Sequence, residues 1–228
     1  MADLYFKMNG SAFDNGFQLD KSVAGLTGLQ QFFDGIYKGA TGKGRISKTD
    51  RERYKVLAQE IKEGSLLVEF GALYSGVQNV LPLYTNLTTG DFWTDAKNTA
   101  AFLYDIYKEA HAGNTVKVSQ GDEGVSVVVN GNDNEINLYK GPVYQFATPL
   151  LQGLRTLDDA LDEGLVSSIE LGARSENNPI LRMKSSEKGL YYAPITVDQT
   201  PREILCDIFD FNKYDKIGKV LVQEGQSI

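Results

Sequence analysis

Apolar and polar residues alternate from residue 4 to residue 8, which predicts a β-strand near the start of the chain. Residues 17–19 are expected to pair back with it as a short second strand. From residue 23 to residue 37, apolar side chains recur every three to four positions, which is the spacing of an amphipathic helix. Asp20 is the predicted N-cap of that helix. This part of the chain therefore predicts a strand, a turn, a second strand and a covering helix.

The same two periodicities predict the remaining elements. Further strands are expected at residues 54–62, 66–73, 115–119, 125–130, 135–139, 166–173, 180–184, 190–197, 203–211 and 218–223. Further helices are expected at residues 77–87, 91–112 and 143–161, and Pro149 inside the last pattern implies a kink or a late start. Hairpin-linked strands interrupted by helices predict an α+β fold, made of two small units of antiparallel strands that are each covered by helices.

The boundary between the two units is expected near Gly113, a helix-stopping glycine. Residues 1–113 would form an N-terminal α+β unit. Residues 114–228 would form a β-rich unit with one helix. This second unit ends soon after its last predicted strand, so we treat it as a candidate fragment of a longer protein.

Side chains that commonly carry catalysis are scarce. The 228 residues contain one histidine, His111, one cysteine, Cys206, and one tryptophan, Trp93. One histidine cannot build a multi-histidine zinc site, and no serine lies in a G-x-S-x-G elbow. We interpret His111 as a cation in the last turn of a helix, where a positive charge interacts favourably with the helix dipole. The composition leans against an enzyme and predicts no cofactor and no bound metal.

The single cysteine bears on the cellular compartment. Cys206 lies in the alternating strand pattern of residues 203–211, which predicts a buried thiol. A lone cysteine forms no internal disulfide, and the chain has no apolar run of about 18 residues. The start of the chain also lacks the basic and apolar regions of a signal peptide. These observations predict a cytoplasmic protein that does not insert into membranes.

The strongest charge asymmetry is a basic segment. Seven basic and two acidic residues lie between residues 38 and 55, a net charge of +5 in a chain whose total is −7. The triplet Gly42-Lys43-Gly44 follows a predicted helix and lacks the other residues of a nucleotide phosphate loop. Residues 39–45 are expected to form a mobile loop, and the cations of the segment either offset the acidic remainder or bind the phosphates of a nucleotide or nucleic acid. The candidate ligand-binding residues are Lys43, Arg45, Lys48, Arg51 and Arg53.

Two groups of carboxylates are further candidates. If Gly64-Ser65 forms a two-residue hairpin turn, Glu60 lies directly opposite Glu69. Like charges in that position repel, so the pair is either solvated, neutralised by a cation, or part of a metal or acid–base site. Asp158, Asp159, Asp162 and Glu163 crowd a predicted helix end, where we expect them to serve solubility or a basic partner.

One resemblance can be stated. The opening strand–turn–strand–helix with Gly25-Leu26-Thr27-Gly28-Leu29, followed by Lys62-Glu63-Gly64-Ser65-Leu66-Leu67-Val68, resembles N-terminal regions of uncharacterised bacterial proteins. The resemblance is one of pattern over the first half of the chain. It implies a bacterial protein and brings no activity with it.

Three functions follow from these features. The first is a non-enzymatic cytoplasmic binding or assembly module, self-associating or bound to a protein partner within a larger protein or complex. The second is a phosphate-ligand sensing module that binds a nucleotide or nucleic acid through residues 38–55. The third is a metal-dependent hydrolase that uses Glu60 and Glu69 as catalytic residues.

Overall fold

A computed structural model of the protein describes residues 4–62, 66–74, 89–121, 124–130, 135–139, 143–174, 178–194, 206–212 and 217–222. The helices are α1 (Leu19–Thr41), α2 (Lys48–Arg53), α3 (Thr89–His111) and α4 (Val143–Ala160). The strands are β1 (Leu4–Asn9), β2 (Tyr54–Lys62), β3 (Leu66–Tyr74), β4 (Thr115–Gly121), β5 (Gly124–Asn130), β6 (Glu135–Tyr139), β7 (Ser168–Ala173), β8 (Leu181–Lys184), β9 (Cys206–Asn212) and β10 (Ile217–Val222). The fold is α+β, as predicted.

The main sheet has five strands in the order β2-β3-β1-β7-β8, and every neighbouring pair is antiparallel. Its central strand is β1, where Leu4, Phe6 and Met8 are buried and the residues between them are partly exposed. This alternation is what the sequence pattern predicted, because one face of the strand packs on helices. The other sheets are a three-stranded sheet, β4-β5-β6, and a hairpin of β9 and β10.

The predicted division near Gly113 is corrected by the strand pairing. β1, from the first half of the chain, pairs with β3 on one side and with β7, from the second half, on the other. The sheet therefore unites the two halves. The compact units are instead Met1–Pro194 and Ile195–Ile228, and the smaller one contains the hairpin of β9 and β10.

Helix α1 packs against both the main sheet and α4 through a face rich in glycine. A methyl group at Gly25 would collide with Met8 of β1, and one at Gly28 would collide with Leu157 of α4. Gly153 of α4 approaches the backbone of Phe32 in the same way. The absence of side chains at these positions lets the helix backbones come close, so the two helices and the sheet enclose one core.

Several predicted elements differ from the structure. Residues 17–19 do not form a strand: a 3-10 turn spans Ser11–Phe13, and α1 begins at Leu19. Its N-cap is Gln18, two residues before the predicted Asp20. Pro149 lies within α4, so the helix does not start late. Residues 190–194 form turns rather than a strand, and the predicted helix at residues 77–87 lies outside the described residues. The other predicted strands and helices are confirmed to within a few residues.

Cys206 is the first residue of β9, as the alternating pattern predicted, but its side chain lies outside what the structure describes. None of the described helices is long and apolar enough to cross a membrane.

Candidate functional site

The basic segment is ordered by ion pairs with its own neighbours. Lys43 Nζ donates to Asp50, and the Arg51 guanidinium forms two parallel hydrogen bonds to the Asp34 carboxylate, one of 2.6 Å from Nη1 to Oδ1. Residues 38–41 belong to α1, and residues 48–53 form α2. Of the loop expected at residues 39–45, the first three residues thus belong to α1 and the other four lie between the two helices. Two of the five candidate ligand-binding cations are already paired within the chain.

Asp50 is the acceptor around which this segment folds. Its buried carboxylate accepts hydrogen bonds from the Tyr37 hydroxyl at 2.9 Å and from the Ser47 backbone N–H at 2.9 Å. The Ser47 side chain accepts from the Asp50 backbone N–H, which completes a capping box at the start of α2. Lys43 first, and then Ser47, hold the pKa of Asp50 well below its usual range. The cluster therefore has a structural role.

Of the five candidate ligand-binding cations, Arg45 and Lys48 are the two whose described surroundings leave them able to bind an anion. Both are exposed, and neither forms an ion pair with any residue that the structure describes. The side chain of Arg53 lies outside the described residues. An anion site in this segment would therefore depend on Arg45 and Lys48, with Arg51 available only at the expense of its bond to Asp34.

Glu60 and Glu69 occupy the predicted register. They are directly opposite each other in the β2–β3 hairpin, next to a bulge between Ala58 and Glu60. On the other side of β3, Tyr5 of β1 is the register partner of Glu69. The two glutamate side chains lie outside the described part of the structure, so a metal or acid–base role stays a prediction.

The four carboxylates at the end of α4 differ in exposure. Asp158 is only 1% exposed, and its Oδ2 atom accepts a 2.8 Å hydrogen bond from the backbone N–H of Gly189. Asp159 accepts from the Tyr192 hydroxyl at 2.7 Å, and Asp162 pairs with Lys21 at 3.0 Å. Asp158 therefore departs from the expected solvated group, whereas Asp159 and Glu163 are exposed and Asp162 has Lys21 as a basic partner within the chain.

Two buried polar atoms in this region have no hydrogen-bond partner among the described residues. They are Oδ1 of Asp158 and the hydroxyl oxygen of Tyr191, whose residue is also 1% exposed. Burial raises the pKa of Asp158 to about 6, and the Gly189 hydrogen bond only partly counteracts this. Burial, followed by the nearby charge of Asp158, raises the pKa of the Tyr191 hydroxyl. The Tyr191 hydroxyl is thus neutral at physiological pH, whereas the pKa of Asp158 lies close to physiological pH.

Both atoms belong to residues that line one narrow space, which we call the inner gap. It is lined by Tyr104, Asp158, Leu161, Arg182, Met183, Glu187, Leu190 and Tyr191. This space is spread thinly among the side chains and has no room for a water molecule in the observed conformation. The two polar groups are therefore desolvated, which costs free energy unless another group reaches them.

An open depression, the outer groove, adjoins the inner gap. It has a volume of about 210 Å³ and is lined by Ala100, Ala101, Tyr104, Asp105, Ile180, Leu181 and Arg182. Tyr104 of α3 and Arg182 of β8 line both spaces. The Tyr104 hydroxyl donates to Glu187 at 3.1 Å, and Arg182 Nε donates to Glu170 at 3.0 Å. These two side chains therefore stand between the open groove and the closed gap.

The segment at residues 185–192, which we call the strap, covers the inner gap. His111 Nε2 donates to the Tyr192 carbonyl at 2.9 Å, and Arg155 Nε donates to the Tyr191 carbonyl at 3.0 Å. His111 is the last residue of α3, as predicted, and its ring binds the strap in addition to lying near the helix terminus. Of the two neighbouring tyrosines in the strap, Tyr191 is buried and Tyr192 is 39% exposed.

Sequence reasoning missed this site, although it did single out some of its residues. Asp158, Tyr191 and His111 come from three distant parts of the chain, and only folding brings them together. The available signal was Asp158 itself, which follows Leu154 and Leu157 at helical spacing on the buried face of α4. No group of three or more metal-ligating side chains occurs in the described ranges.

Comparisons with protein-family models, with curated proteins and with solved structures found no match to this chain.

Proposed function

We propose that the protein is a non-enzymatic binding module whose ligand occupies the outer groove and reaches the inner gap. The observation that carries this proposal is the pair of unpartnered polar atoms, Asp158 Oδ1 and the Tyr191 hydroxyl, in one buried space beside an open depression. An unsatisfied buried polar group costs about 1–3 kcal/mol. Such a cost persists where function requires the group, and a ligand that bonds to it recovers part of that free energy.

Binding is favoured over catalysis because the polar side chains around the inner gap form hydrogen bonds within the protein. His111 donates to the Tyr192 carbonyl, and Tyr104 donates to Glu187. Arg155 holds the Tyr191 carbonyl and lies over the Tyr192 ring. These polar groups hold the strap in place, which is the behaviour expected of the frame of a binding site.

The test is native mass spectrometry of the purified full chain, in which the occupancy of any retained ligand is compared between the wild type and variants. We expect a low-molecular-weight ligand on the wild type, reduced occupancy in Asp158→Asn and Tyr191→Phe, and unchanged occupancy in Glu163→Gln, where an exposed carboxylate beyond α4 is neutralised. A ligand retained equally by all four proteins would contradict a site at the inner gap. The same spectra report whether the chain self-associates.

A second candidate, anion binding, is favoured by the exposure of Arg45 and Lys48 and by their lack of ion-pair partners among the described residues. It would make the protein a phosphate-ligand sensing module for a nucleotide or nucleic acid. Such binding weakens steeply as salt is added, because the phosphate contacts release counterions. Binding of a short oligonucleotide that does not depend on salt would count against this candidate.

We also propose that the protein works in a reducing compartment such as the cytoplasm, within a self-associated or partner-bound assembly. Support for the compartment comes from Cys206, a lone cysteine that has no second thiol in the chain for an internal disulfide. Mass spectrometry of protein extracted under thiol-trapping conditions tests this: a trapped free thiol is expected, and a mixed disulfide would contradict it.

A further inference from the structure

We infer that the ligand of the inner gap and outer groove is a small primary ammonium ion with a short apolar tail. This inference rests on the proposed binding function and adds the chemical class of the ligand. It is drawn from the hydrogen-bonding capacity, charge and wall composition of the two spaces.

The polar groups of the inner gap that can accept a new hydrogen bond outnumber those that can only donate. Asp158 Oδ1 has no partner, and the Tyr191 hydroxyl can accept or donate. The Glu187 carboxylate accepts one hydrogen bond, from Tyr104, and a carboxylate has about four acceptor positions. An ammonium group supplies three N–H donors and no acceptor, so it matches these three side chains.

The charges of the lining residues also favour a cation. Asp158 and Glu187 contribute carboxyl groups to the inner gap, and Asp105 contributes one to the outer groove. Among the described residues that line the two spaces, the cation is Arg182, and it donates to Glu170. An anionic ligand would meet the repulsion of the carboxylates, whereas an ammonium ion would neutralise part of it.

The Tyr104 ring already attracts a primary ammonium within the chain. Lys108 Nζ lies over this ring, 5.8 Å from its centroid. Attraction of a cation to the electron-rich face of an aromatic ring contributes about 0.5–1 kcal/mol at exposed sites and more where water is excluded. Because Tyr104 lines both spaces, a ligand ammonium that passes from the groove to the gap would pass the ring of Tyr104.

The walls of the outer groove suit an apolar tail. Ala100, Ala101, Ile180 and Leu181 supply aliphatic surface there, whereas the Asp158 and Glu187 carboxyl groups and the Tyr191 hydroxyl belong to the inner gap. A volume of about 210 Å³ accommodates a few carbon atoms. The ligand would therefore bind with its charged end inward and its hydrocarbon end in the groove.

Entry of the ammonium group requires the inner gap to widen. Glu187, Leu190 and Tyr191 all belong to the strap, so displacement of this one segment moves much of the lining. Gly189, at the centre of the strap, has a positive φ of 89°. The strap is short and is made of turns, but His111 and Arg155 hold it by hydrogen bonds, so the ligand must recover the free energy that its displacement costs.

Binding of a cation to Asp158 would favour the ionised carboxylate, so the affinity would fall as the pH drops through the titration of that group. Other charged or titratable groups face Asp158 from each element around it. They are His111 and Tyr104 on α3, Asp159 on α4, Arg182 on β8, and Glu187, Lys188 and Tyr191 on the strap. A variant at position 158 separates its contribution from theirs.

The experiment is isothermal titration calorimetry on the full chain with four probes: butylammonium, butanol, butyrate and tetramethylammonium. Butylammonium is expected to bind at least about tenfold more tightly than each of the others, since tetramethylammonium lacks N–H donors and the other two lack the positive charge. Asp158→Asn should weaken butylammonium binding by about tenfold or more, and Glu163→Gln should leave it unchanged. Tyr191→Phe, which keeps the ring, provides a second variant if Asp158→Asn is poorly folded.

The outcomes separate this inference from the proposed function. If butanol or butyrate binds as tightly as butylammonium and Asp158→Asn weakens that binding, the ammonium inference is overturned and the binding site stands. If none of the probes binds and native mass spectrometry finds no ligand, both are overturned. Binding of butylammonium that is equal in the wild type, Asp158→Asn and Tyr191→Phe would also overturn the inference.

Discussion

The Asp158 carboxylate and the backbone N–H of Gly189 form a 2.8 Å hydrogen bond that joins the end of α4 to the strap. This bond satisfies Oδ2 only, and Oδ1 is left without a partner in the described structure. A half-satisfied, buried carboxyl group is held by the fold at a free-energy cost, because charge in a dry environment is poorly solvated. The stability of the protein should therefore depend on the protonation of Asp158.

The first prediction concerns the pH dependence of stability. The pKa of Asp158 is raised to about 6, so the folded state prefers the protonated form. The stability that Asp158 contributes is fully present below the pKa of this carboxyl group in the unfolded chain, about 3.8. It is lost as the pH rises through the folded-state pKa of about 6. We expect the free energy of unfolding of the wild type, minus that of Asp158→Asn, to fall by up to about 3 kcal/mol over this range. Urea unfolding at several pH values measures it.

Glu163→Gln is the control for that series. Glu163 is exposed and close in sequence, so its neutralisation should produce no comparable pH-dependent difference. A constant difference between the wild type and Asp158→Asn across the range would show that Asp158 does not titrate there.

The second prediction concerns the Tyr191 hydroxyl. Tyr191→Phe removes a buried polar atom that has no partner, so we expect the free energy of unfolding to rise by about 1 kcal/mol. Tyr37→Phe is the matched control, because the Tyr37 hydroxyl donates to Asp50 at 2.9 Å and its removal should cost about 1–2 kcal/mol. Chemical denaturation of both variants checks this. A loss of stability in Tyr191→Phe equal to that in Tyr37→Phe would indicate a hydroxyl partner.

The third prediction concerns the close approach of α1 and α4. A methyl group at Gly153 would collide with the backbone of Phe32, and backbone cannot move aside as a flexible side chain can. Gly153→Ala should therefore destabilise the protein by about 1–3 kcal/mol despite the higher helix propensity of alanine. Gly44→Ala, at a position with open space around it, should have little effect. Thermal unfolding of the two variants compares them directly.

The fourth prediction separates structural from ligand-binding cations in the basic segment. Lys43→Ala deprives the buried Asp50 carboxylate of its ion pair and should cost about 1–2 kcal/mol, a modest value because Lys43 itself is partly exposed. Arg45→Ala with Lys48→Ala should change stability by no more than about 0.5 kcal/mol each. If the segment binds phosphate, this second pair should weaken oligonucleotide binding at low salt.

The sequence predicted the strands well because their signal is local. The alternation of Leu4, Phe6 and Met8 matches their burial in β1, and a two-residue turn was enough to place Glu60 opposite Glu69. Helix α1 was predicted for the same reason, but its buried face was only partly identified. Periodicity counts apolar side chains, so it could not reveal that Gly28 and its neighbours form the contact with α4, or that Val23 is exposed.

The candidate site could not be predicted, because its defining feature is the burial of a charged residue by a distant segment. Four carboxylates at a helix end are normally a solvated group, and the one local signal to the contrary is the helical spacing of Asp158 from Leu154. The hydrogen bond from Gly189 depends on the turn after β8, which the pattern had predicted as a strand because Leu190 and Tyr191 are apolar or aromatic. Short apolar runs fit a strand or a buried turn equally well without tertiary context.

The last prediction concerns Glu60 and Glu69. Their register places two carboxylates opposite each other in the β2–β3 hairpin, where like charges destabilise the pair. If they have no cation between them, Glu60→Gln or Glu69→Gln should raise the free energy of unfolding by a few tenths of a kcal/mol. The double variant should add little more, because one substitution already relieves the repulsion, and the double-mutant cycle measures this coupling. Glu52→Gln, an exposed residue outside the hairpin, is the control.

The metal-dependent hydrolase requires the opposite result. A bound divalent cation would neutralise the pair, so Mn²⁺ should raise the melting temperature of the wild type and leave both glutamine variants unaffected. Metal-dependent hydrolysis should then also disappear in the folded variants. If Mn²⁺ has no effect on the wild type and each single substitution is stabilising, the glutamates act only as a repulsive pair, and the non-enzymatic function is favoured over the hydrolase because the carboxylates that would hold its metal bind none.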